Sequence, residues 1–106
     1  MGHLHYDGQD YDFEDRLLAH IKTATGQKLR RFEPFFLNWN KSLKEGDGRM
    51  AIWISPYVPL TVRYSGGRQP EINPVWVKVL EDTANQPYGM QVMSEEQAER
   101  YAKEHY

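Results

Sequence analysis

Apolar residues recur at helical spacing in the first third of the chain. The residues that share this face are Leu17, Leu18, Ile21 and Ala24. A stripe of this kind is typical of a helix face packed against a core. Asp12 is a favourable N-cap residue, and Gly26 can adopt the left-handed conformation with which many helices end. The pattern therefore predicts a first helix between these two residues.

Two later segments also begin with helix start signals. Asn73 suits an N-cap, and Pro74 suits the first helical position, where no amide hydrogen is needed. Ser94 and Gln97 form a capping box, in which each side chain serves the other's backbone amide. Residues that share one face follow each start: Trp76, Val79, Leu80 and Ala84, and then Ala98, Tyr101, Ala102 and His105. We expect a second helix and a short C-terminal helix.

Other segments have the two-residue period of β-strands. Positions 35, 37 and 39 are all apolar, while Asn38 and Asn40 mark the opposite face, which is typical of a half-buried strand. Residues 50–54 are apolar on both faces, which favours a central strand. Asp7-Gly8 suits a type I′ turn between two short N-terminal strands. Further strands are predicted at residues 60–64 and 90–93, and core positions are predicted for Phe35, Trp39, Trp53 and Trp76.

The order of these elements predicts an α+β fold. Neighbouring strands joined by short turns favour an antiparallel sheet of five to six strands, with two helices on one face and a short C-terminal helix. The chain lacks repeats, low-complexity tracts and an obvious linker, so residues 1–106 are predicted to form one domain. Residues 1–93 would be its core, and residues 94–106 an appended helix.

Composition narrows the classes of function. The absence of cysteine excludes disulfides and thiol catalysis, and nothing points to an oxidising compartment. The first residues do not resemble a secretory signal, and the longest apolar runs are far too short to cross a membrane, so we expect a cytoplasmic protein without a membrane partner. A net charge of −2 differs from the strongly basic balance of a DNA-coating protein.

Basic residues nevertheless cluster after the first predicted helix. The candidate nucleic-acid contacts are Lys28, Arg30, Arg31, Lys44 and Arg49. Together with nearby aromatic residues they could bind phosphates. The alternative is a solvated helix end, where cations stabilise the helix dipole.

Two other motifs suggest chemistry that the spacing does not support. His3 and His5 would share one strand face and could chelate a metal, but their spacing is unspecific and a third ligand, Asp7 or Asp10, is available only across the turn. A solvated strand face is therefore the favoured interpretation. Lys44 and Asp47 superficially match the Lys-x-Asp-Gly-x-Arg motif of nucleotidyltransferases. Their separation is one residue too long, and Arg49 follows Gly48 directly. No catalytic residue, metal site or cofactor is predicted.

Four segments in combination resemble a known family. They are residues 15–20, 28–33, 48–53 and 73–76. The family consists of small actinobacterial proteins of about this length, of uncharacterised function, which are often labelled ATP-dependent DNA ligases. The resemblance covers residues 1–93 and implies a bacterial, cytoplasmic, stand-alone domain associated with DNA transactions. The segment 28–31 would be the place to look for contact with DNA.

The sequence thus favours a non-catalytic interaction module that binds a protein partner or a second copy of itself. Its aromatic surplus, the expected exposed edge of the N-terminal hairpin and the appended helix support this interpretation. Tyr101 and His105, on the C-terminal helix, are the candidate interface residues. The alternative is a nucleic-acid-associated accessory protein, and an enzyme of unknown type would require His20, Arg16, Arg49 and carboxylates to converge in one pocket.

Overall fold

The computed structural model describes residues 1–41 and 48–106. Within these ranges it contains six strands and three helices. In chain order they are β1 (Gly2–Tyr6), β2 (Gln9–Phe13), α1 (Asp15–Arg30), β3 (Phe35–Asn40), β4 (Arg49–Ile54), β5 (Leu60–Arg63), α2 (Pro74–Ala84), β6 (Met90–Gln91) and α3 (Glu95–His105). The predicted α+β class is confirmed.

The strands form two small sheets instead of one larger one. The first sheet has the order β2-β1-β5 and is antiparallel throughout. The second has the order β4-β3-β6, in which β3 and β4 are antiparallel. β6 runs parallel to β3. Parallel neighbours need a long connection between them, and here that connection contains β4, β5 and α2.

A shared hydrophobic cluster joins the two sheets and the helices. Its largest fully buried apolar side chains are Leu4, Leu18, Ile21, Leu37, Ile54, Leu80, Met90 and Val79. Trp39 of β3 meets the rings of Tyr11 and Phe13 on β2 edge-on, with ring centroids 5.2 Å apart in both cases. Phe35 and Trp76 are buried and Trp39 packs against the cluster, as predicted.

Tyr6 links the backbones of the two sheets. Its hydroxyl donates a hydrogen bond to the carbonyl oxygen of Trp53 and accepts one from the amide of Ser55, both at 2.9 Å. The Tyr6 side chain is buried. One hydroxyl group therefore fixes the end of β4 against β1.

The first helix differs from its prediction at both ends. Glu14, not Asp12, is the N-cap residue, and its side chain makes no capping bond. The helix continues past Gly26 to Arg30, because Lys28, in its last turn, is held by contacts with residues distant in sequence (described below). Phe32, with φ 56°, provides the left-handed exit expected of the glycine.

The second and third helices follow their start signals. Asn73 caps α2 by accepting a hydrogen bond from the amide of Val75 at 3.0 Å. Ser94 and Gln97 form the complete capping box of α3. Ala98 is fully buried, and α3 packs on α2, so the apolar face of α3 is used within the chain.

The predicted position of β4 at the centre of a sheet is wrong. β4 is an edge strand, and Trp53 is 51% exposed, so its predicted core position is also wrong. Met50, Ile52 and Ile54 face inward, whereas Ala51 and Trp53 face solvent. The strand is apolar on both faces even though only one face is covered.

None of the described helices is long and apolar enough to span a bilayer.

Candidate functional site

His20 is the most deeply buried ionisable side chain with acid–base potential. It is fully buried, and its ring stacks on Trp76 with centroids 4.1 Å apart. Nδ1 lies 2.7 Å from the carbonyl oxygen of Arg16, so it must carry the proton and donate it. Nε2 accepts a hydrogen bond from the amide of Asn73 at 2.9 Å. Both ring nitrogens are engaged by backbone groups, and burial lowers the pKa of His20.

A polar network surrounds this histidine and joins the three helices. Arg16 of α1 donates to the Glu95 carboxylate of α3 at 2.8 Å and to the carbonyl oxygen of Glu71 at 2.6 Å. The Asn73 side-chain amide donates to Glu95 at 2.7 Å and to Glu99 at 3.0 Å. The hydrogen bond from Arg16, followed by that from Asn73, lowers the pKa of Glu95.

A cleft of about 500 Å³ opens beside this network. Its lining includes Glu14, Arg16, Trp76 and Glu95. This is the convergence of Arg16 and carboxylates that an enzyme would require, but Arg49 does not line the cleft and His20 lies behind Trp76. Arg16 and Glu95 neutralise each other, and the buried histidine has no unused nitrogen. The arrangement acts chemically as a clamp between helices.

An exposed aromatic pair lies on the second sheet. Phe36 of β3 and Trp53 of β4 face each other across the strands, with ring centroids 4.9 Å apart, and remain 41% and 51% exposed. Gly89 approaches the backbone of Phe36 so closely that a Cβ atom would lie 2.4 Å from the Phe36 carbonyl oxygen. With φ at 93°, position 89 requires glycine, which brings the start of β6 against this pair.

The outer edge of β4 carries backbone groups without partners among the described residues. The amide of Lys41 donates to the carbonyl of Gly48 at 2.9 Å, which marks this as a hydrogen-bonded antiparallel pair. Continuing the register, Arg49, Ala51 and Trp53 direct their amides and carbonyls away from β3. The hydrogen bond from Tyr6 to the Trp53 carbonyl agrees with this direction. The outward groups of Arg49 and Ala51 are therefore the free part of the edge.

The residues predicted to bind nucleic acid do not all present free cations. Lys28 is only 5% exposed, and its ammonium group lies 2.5 Å from the side-chain oxygen of Asn85 and 3.0 Å from Glu33. Arg31 forms ion pairs with Glu33 at 3.1 Å and with Glu81 at 2.8 Å. These bonds raise the pKa of Arg31, the bond to Glu81 most strongly. Both cations serve to join α1 to α2 and the connection before β3.

The remaining members of that set are separated in the fold. Arg30 is exposed at the end of α1, and Arg49 is exposed at the start of β4. Lys44 lies outside the described residues, as does most of the segment compared with the nucleotidyltransferase motif. The prediction of nucleic-acid contact remains open for Arg30 and Arg49.

The predicted interface residues of α3 contact each other. The rings of Tyr101 and His105 stack with centroids 4.0 Å apart. Tyr101 is half-buried and also meets the ring of Tyr106, whose hydroxyl donates to Asp82 of α2. Burial, followed by that hydrogen bond, raises the pKa of Tyr106. This aromatic cluster packs α3 onto α2 and leaves His105 exposed.

The N-terminal histidines lie on the solvated face of the first sheet. His5 pairs with Asp10 directly opposite on β2, with Nδ1 2.5 Å from the carboxylate oxygen, and this contact lowers the pKa of Asp10. No group of three His, Cys, Asp or Glu residues in residues 1–41 and 48–106 is placed to hold a metal ion.

Two features were missed from the sequence. One is the free edge of β4, because a strand that is apolar on both faces is expected at the centre of a sheet. The other is the pair of cations Lys22 and Arg68, which are far apart in the sequence but line one cleft. Each stands alone in the chain, so no local cluster could have revealed them.

Comparison with known proteins gives a family but no activity. No curated protein and no solved structure matches the chain. The comparisons thus provide no support for the ligase label carried by the sequence resemblance. The match to a family covers residues 1–95 and ends at the first residue of α3. By that match, the chain belongs to the family of the domain of unknown function DUF7882.

Proposed function

We propose that this protein is a non-catalytic interaction module that associates with a second copy of itself through the free edge of β4. The observation that carries the proposal is the coincidence of outward backbone groups, without partners among the described residues, with the exposed aromatic pair Phe36 and Trp53 on the same strand pair. An exposed apolar edge strand is a template for pairing with another chain. Aromatic residues, Trp above all, dominate the energetics of protein interfaces.

The pattern of β4 suits pairing with its own copy. In a two-fold arrangement centred on Ala51, two β4 strands would run antiparallel, and the small Ala51 side chains would meet at the axis. Trp53 would then lie opposite Arg49 of the second copy. A guanidinium group over an indole ring contributes about 0.5–1 kcal/mol at an exposed site, and each such interface contains this contact twice. The pairing would also use the outward amide and carbonyl of Ala51 in each copy, while the Trp53 carbonyl already accepts the hydrogen bond from Tyr6.

The hydrogen bonds of the buried polar groups support a role without catalysis. A general base needs a free nitrogen within reach of a substrate proton. His20 has neither, because Arg16 and Asn73 occupy both nitrogens and the Trp76 ring covers one face. The network stabilises the helices beneath the sheets and leaves the strand edge for contact.

Substitution of Ala51 by Pro tests the proposal. Proline removes an amide that points away from β3, so the fold of the single chain should tolerate it, while pairing across the edge should not. Sedimentation velocity over a range of concentrations should show a monomer–dimer equilibrium for the wild type and for Ala51→Ser. Ala51→Pro should remain monomeric, with an unchanged circular dichroism spectrum.

A second variant covers the case in which the proline disturbs folding. Trp53→Ser leaves the backbone groups in place and removes the contact with Arg49, so it should weaken the dimer about tenfold or more. A wild-type protein that stays monomeric at all concentrations would refute the proposal. Dimers of Ala51→Pro as strong as those of the wild type would place the interface elsewhere.

A further inference from the structure

Two adjoining clefts follow the outer side of α1. The first, of about 310 Å³, lies between α1 and the connection that follows β5, and its lining includes Lys22, Tyr64 and Arg68. The second, of about 240 Å³, continues along the helix to Arg30. Lys22 and Thr23 line both clefts, so the two form one strip. We call this surface the α1 strip.

The α1 strip is positively charged in a chain whose net charge is −2. Its cations are Lys22, Arg30 and Arg68, and none of the described residues lining the two clefts is Asp or Glu. These three cations form no ion pair with any residue in the described ranges, in contrast to Lys28 and Arg31. The charge on this surface is therefore available to a ligand.

The carboxylate of Asp15 lies beside Gly66 at the edge of the first cleft and is engaged by backbone amides. The Asp15 carboxylate accepts hydrogen bonds from the amides of Ser65 and Gly66 at 3.0 and 2.9 Å, which lower its pKa and hold the connection after β5 against α1. Beyond Thr23, the next cleft contains Glu81 and Asp82, which are paired with Arg31 and Lys78. The strip has an acidic boundary on that side, so its positive region is confined to α1 and the residues around Arg68.

The dimensions of the strip suit several phosphates in a row. Lys22 and Arg30 are eight residues apart on α1, which corresponds to about 12 Å along the helix axis. This separation of backbone positions matches two or three consecutive phosphates of a nucleic-acid strand. The ring of Tyr64 lines the same cleft as Arg68, and Gly66 and Gly67 beside it leave room for a backbone to approach. A positive groove with an aromatic side chain is typical of single-strand binding.

We propose that the α1 strip binds the backbone of single-stranded nucleic acid through Lys22, Arg30 and Arg68, with Tyr64 placed to stack on a base. This site differs from the β4 edge and does not depend on self-association. Three phosphate contacts predict weak binding at physiological salt. They also predict a slope of about −2 for the logarithm of the binding constant against the logarithm of salt concentration.

Fluorescence anisotropy of a short labelled oligothymidylate at low salt, titrated with the full chain, measures this binding. The double variant Lys22→Glu with Arg68→Glu should lose at least about tenfold in affinity, since two of the three contacts become repulsive. The matched control is Lys103→Glu with Arg100→Glu, which makes the same charge changes at exposed positions of α3. It should lose less than about threefold. Tyr64→Leu should weaken binding by about tenfold or less and leave the salt slope unchanged.

Competition experiments distinguish the possible ligands. A short oligouridylate should compete about as well as DNA if the backbone phosphates and base stacking are the features recognised. An equal loss in the α3 control would show that only net charge matters and would overturn the proposal. Equal competition by polyaspartate, or equal affinity for a duplex of the same length, would also overturn it, as would the absence of binding at low salt.

Discussion

His20 and Lys28 lie on the same helix, and both are buried ionisable residues. The ammonium group of Lys28 pairs with Glu33 and donates a hydrogen bond to Asn85. His20 is placed to stay neutral, because its partners are one backbone carbonyl and one backbone amide. In each case, folding brings to the side chain the groups with which it forms hydrogen bonds. From the sequence alone, Lys28 belongs to a basic cluster at a helix end, and no hydrogen-bond partner of His20 can be predicted.

The neutral state of His20 makes folding stability depend on pH. Burial lowers its pKa from the ordinary value of 6.5, so the unfolded chain binds this proton more readily than the native chain. The stabilisation is present in full above the unfolded-state pKa and is lost as the pH falls through the native-state pKa. We expect the free energy of unfolding, measured with urea, to decrease between pH 8 and about pH 5.

Variants isolate this contribution. His20→Gln should be less stable than the wild type at pH 8 by about 1–3 kcal/mol, because the fit to both backbone partners and the stacking on Trp76 are impaired. Its stability should change less over the same pH range. His105→Gln, which alters an exposed histidine, should retain the wild-type dependence of stability on pH.

The carboxylates of Asp15, Glu33 and Glu95 have lowered pKa values, so their contributions to stability are lost only at more acidic pH. A pH profile of His20→Gln parallel to that of the wild type would contradict this account.

Elements with chemical start signals were predictable from the chain. α2 and α3 begin where Asn73 and Ser94 offer their side chains to backbone amides, because such caps act within four residues. The apolar positions 35, 37 and 39 beside Asn38 and Asn40 likewise identified β3, because successive residues of a half-buried strand point alternately to the core and to solvent.

Elements defined by distant partners were not predictable in the same way. Gly26 suggested the end of α1, but the helix continues to Arg30, where the salt bridge of Lys28 and the packing of the last turn outweigh the preference of one glycine. β4 is as apolar as a central strand, although its outer edge has no strand beside it among the described residues. Apolar residues on both faces therefore do not show that a strand has a neighbouring strand at each edge.

The Tyr6 hydroxyl adds a hydrogen-bonded link to the apolar contact between the two sheets. Tyr6→Phe should retain the buried ring but leave the Ser55 amide and one lone pair of the Trp53 carbonyl without their partner. We expect a loss of about 1–3 kcal/mol in the free energy of unfolding.

The matched control is Tyr11→Phe, on the neighbouring strand. The Tyr11 ring contacts Trp39, and its hydroxyl forms no bond with the residues that the structure describes. It should change stability by less than about 0.5 kcal/mol. Hydrogen exchange should show faster exchange at Ser55 in Tyr6→Phe, and equal losses of stability in the two variants would contradict the bridging role.

At the scale of the whole molecule, the two proposed surfaces lie on different elements. The β4 edge belongs to the second sheet, while the α1 strip consists of α1 and the connection after β5. No described residue belongs to both surfaces, and the α1 strip combines two distant segments of the chain, whereas the β4 edge lies in one. Composition and local motifs therefore indicated an interaction module without identifying the strip. Of the strip's cations Lys22, Arg30 and Arg68, only Arg30 belongs to the predicted basic set.

Separate surfaces predict that the two activities can be removed independently. Ala51→Pro should abolish dimers and keep oligonucleotide binding, whereas Lys22→Glu with Arg68→Glu should abolish binding and keep dimers. A dimer presents two strips, so an oligonucleotide long enough to reach both should bind the wild type with about twice the salt slope of Ala51→Pro. A short oligonucleotide should bind both proteins with the same salt slope.

Sedimentation velocity measures dimer formation, and fluorescence anisotropy measures oligonucleotide binding, on the same preparations. Loss of oligonucleotide binding in a folded Ala51→Pro monomer would show that the nucleic-acid site requires the dimer, and the assignment of an independent α1 strip would then be wrong.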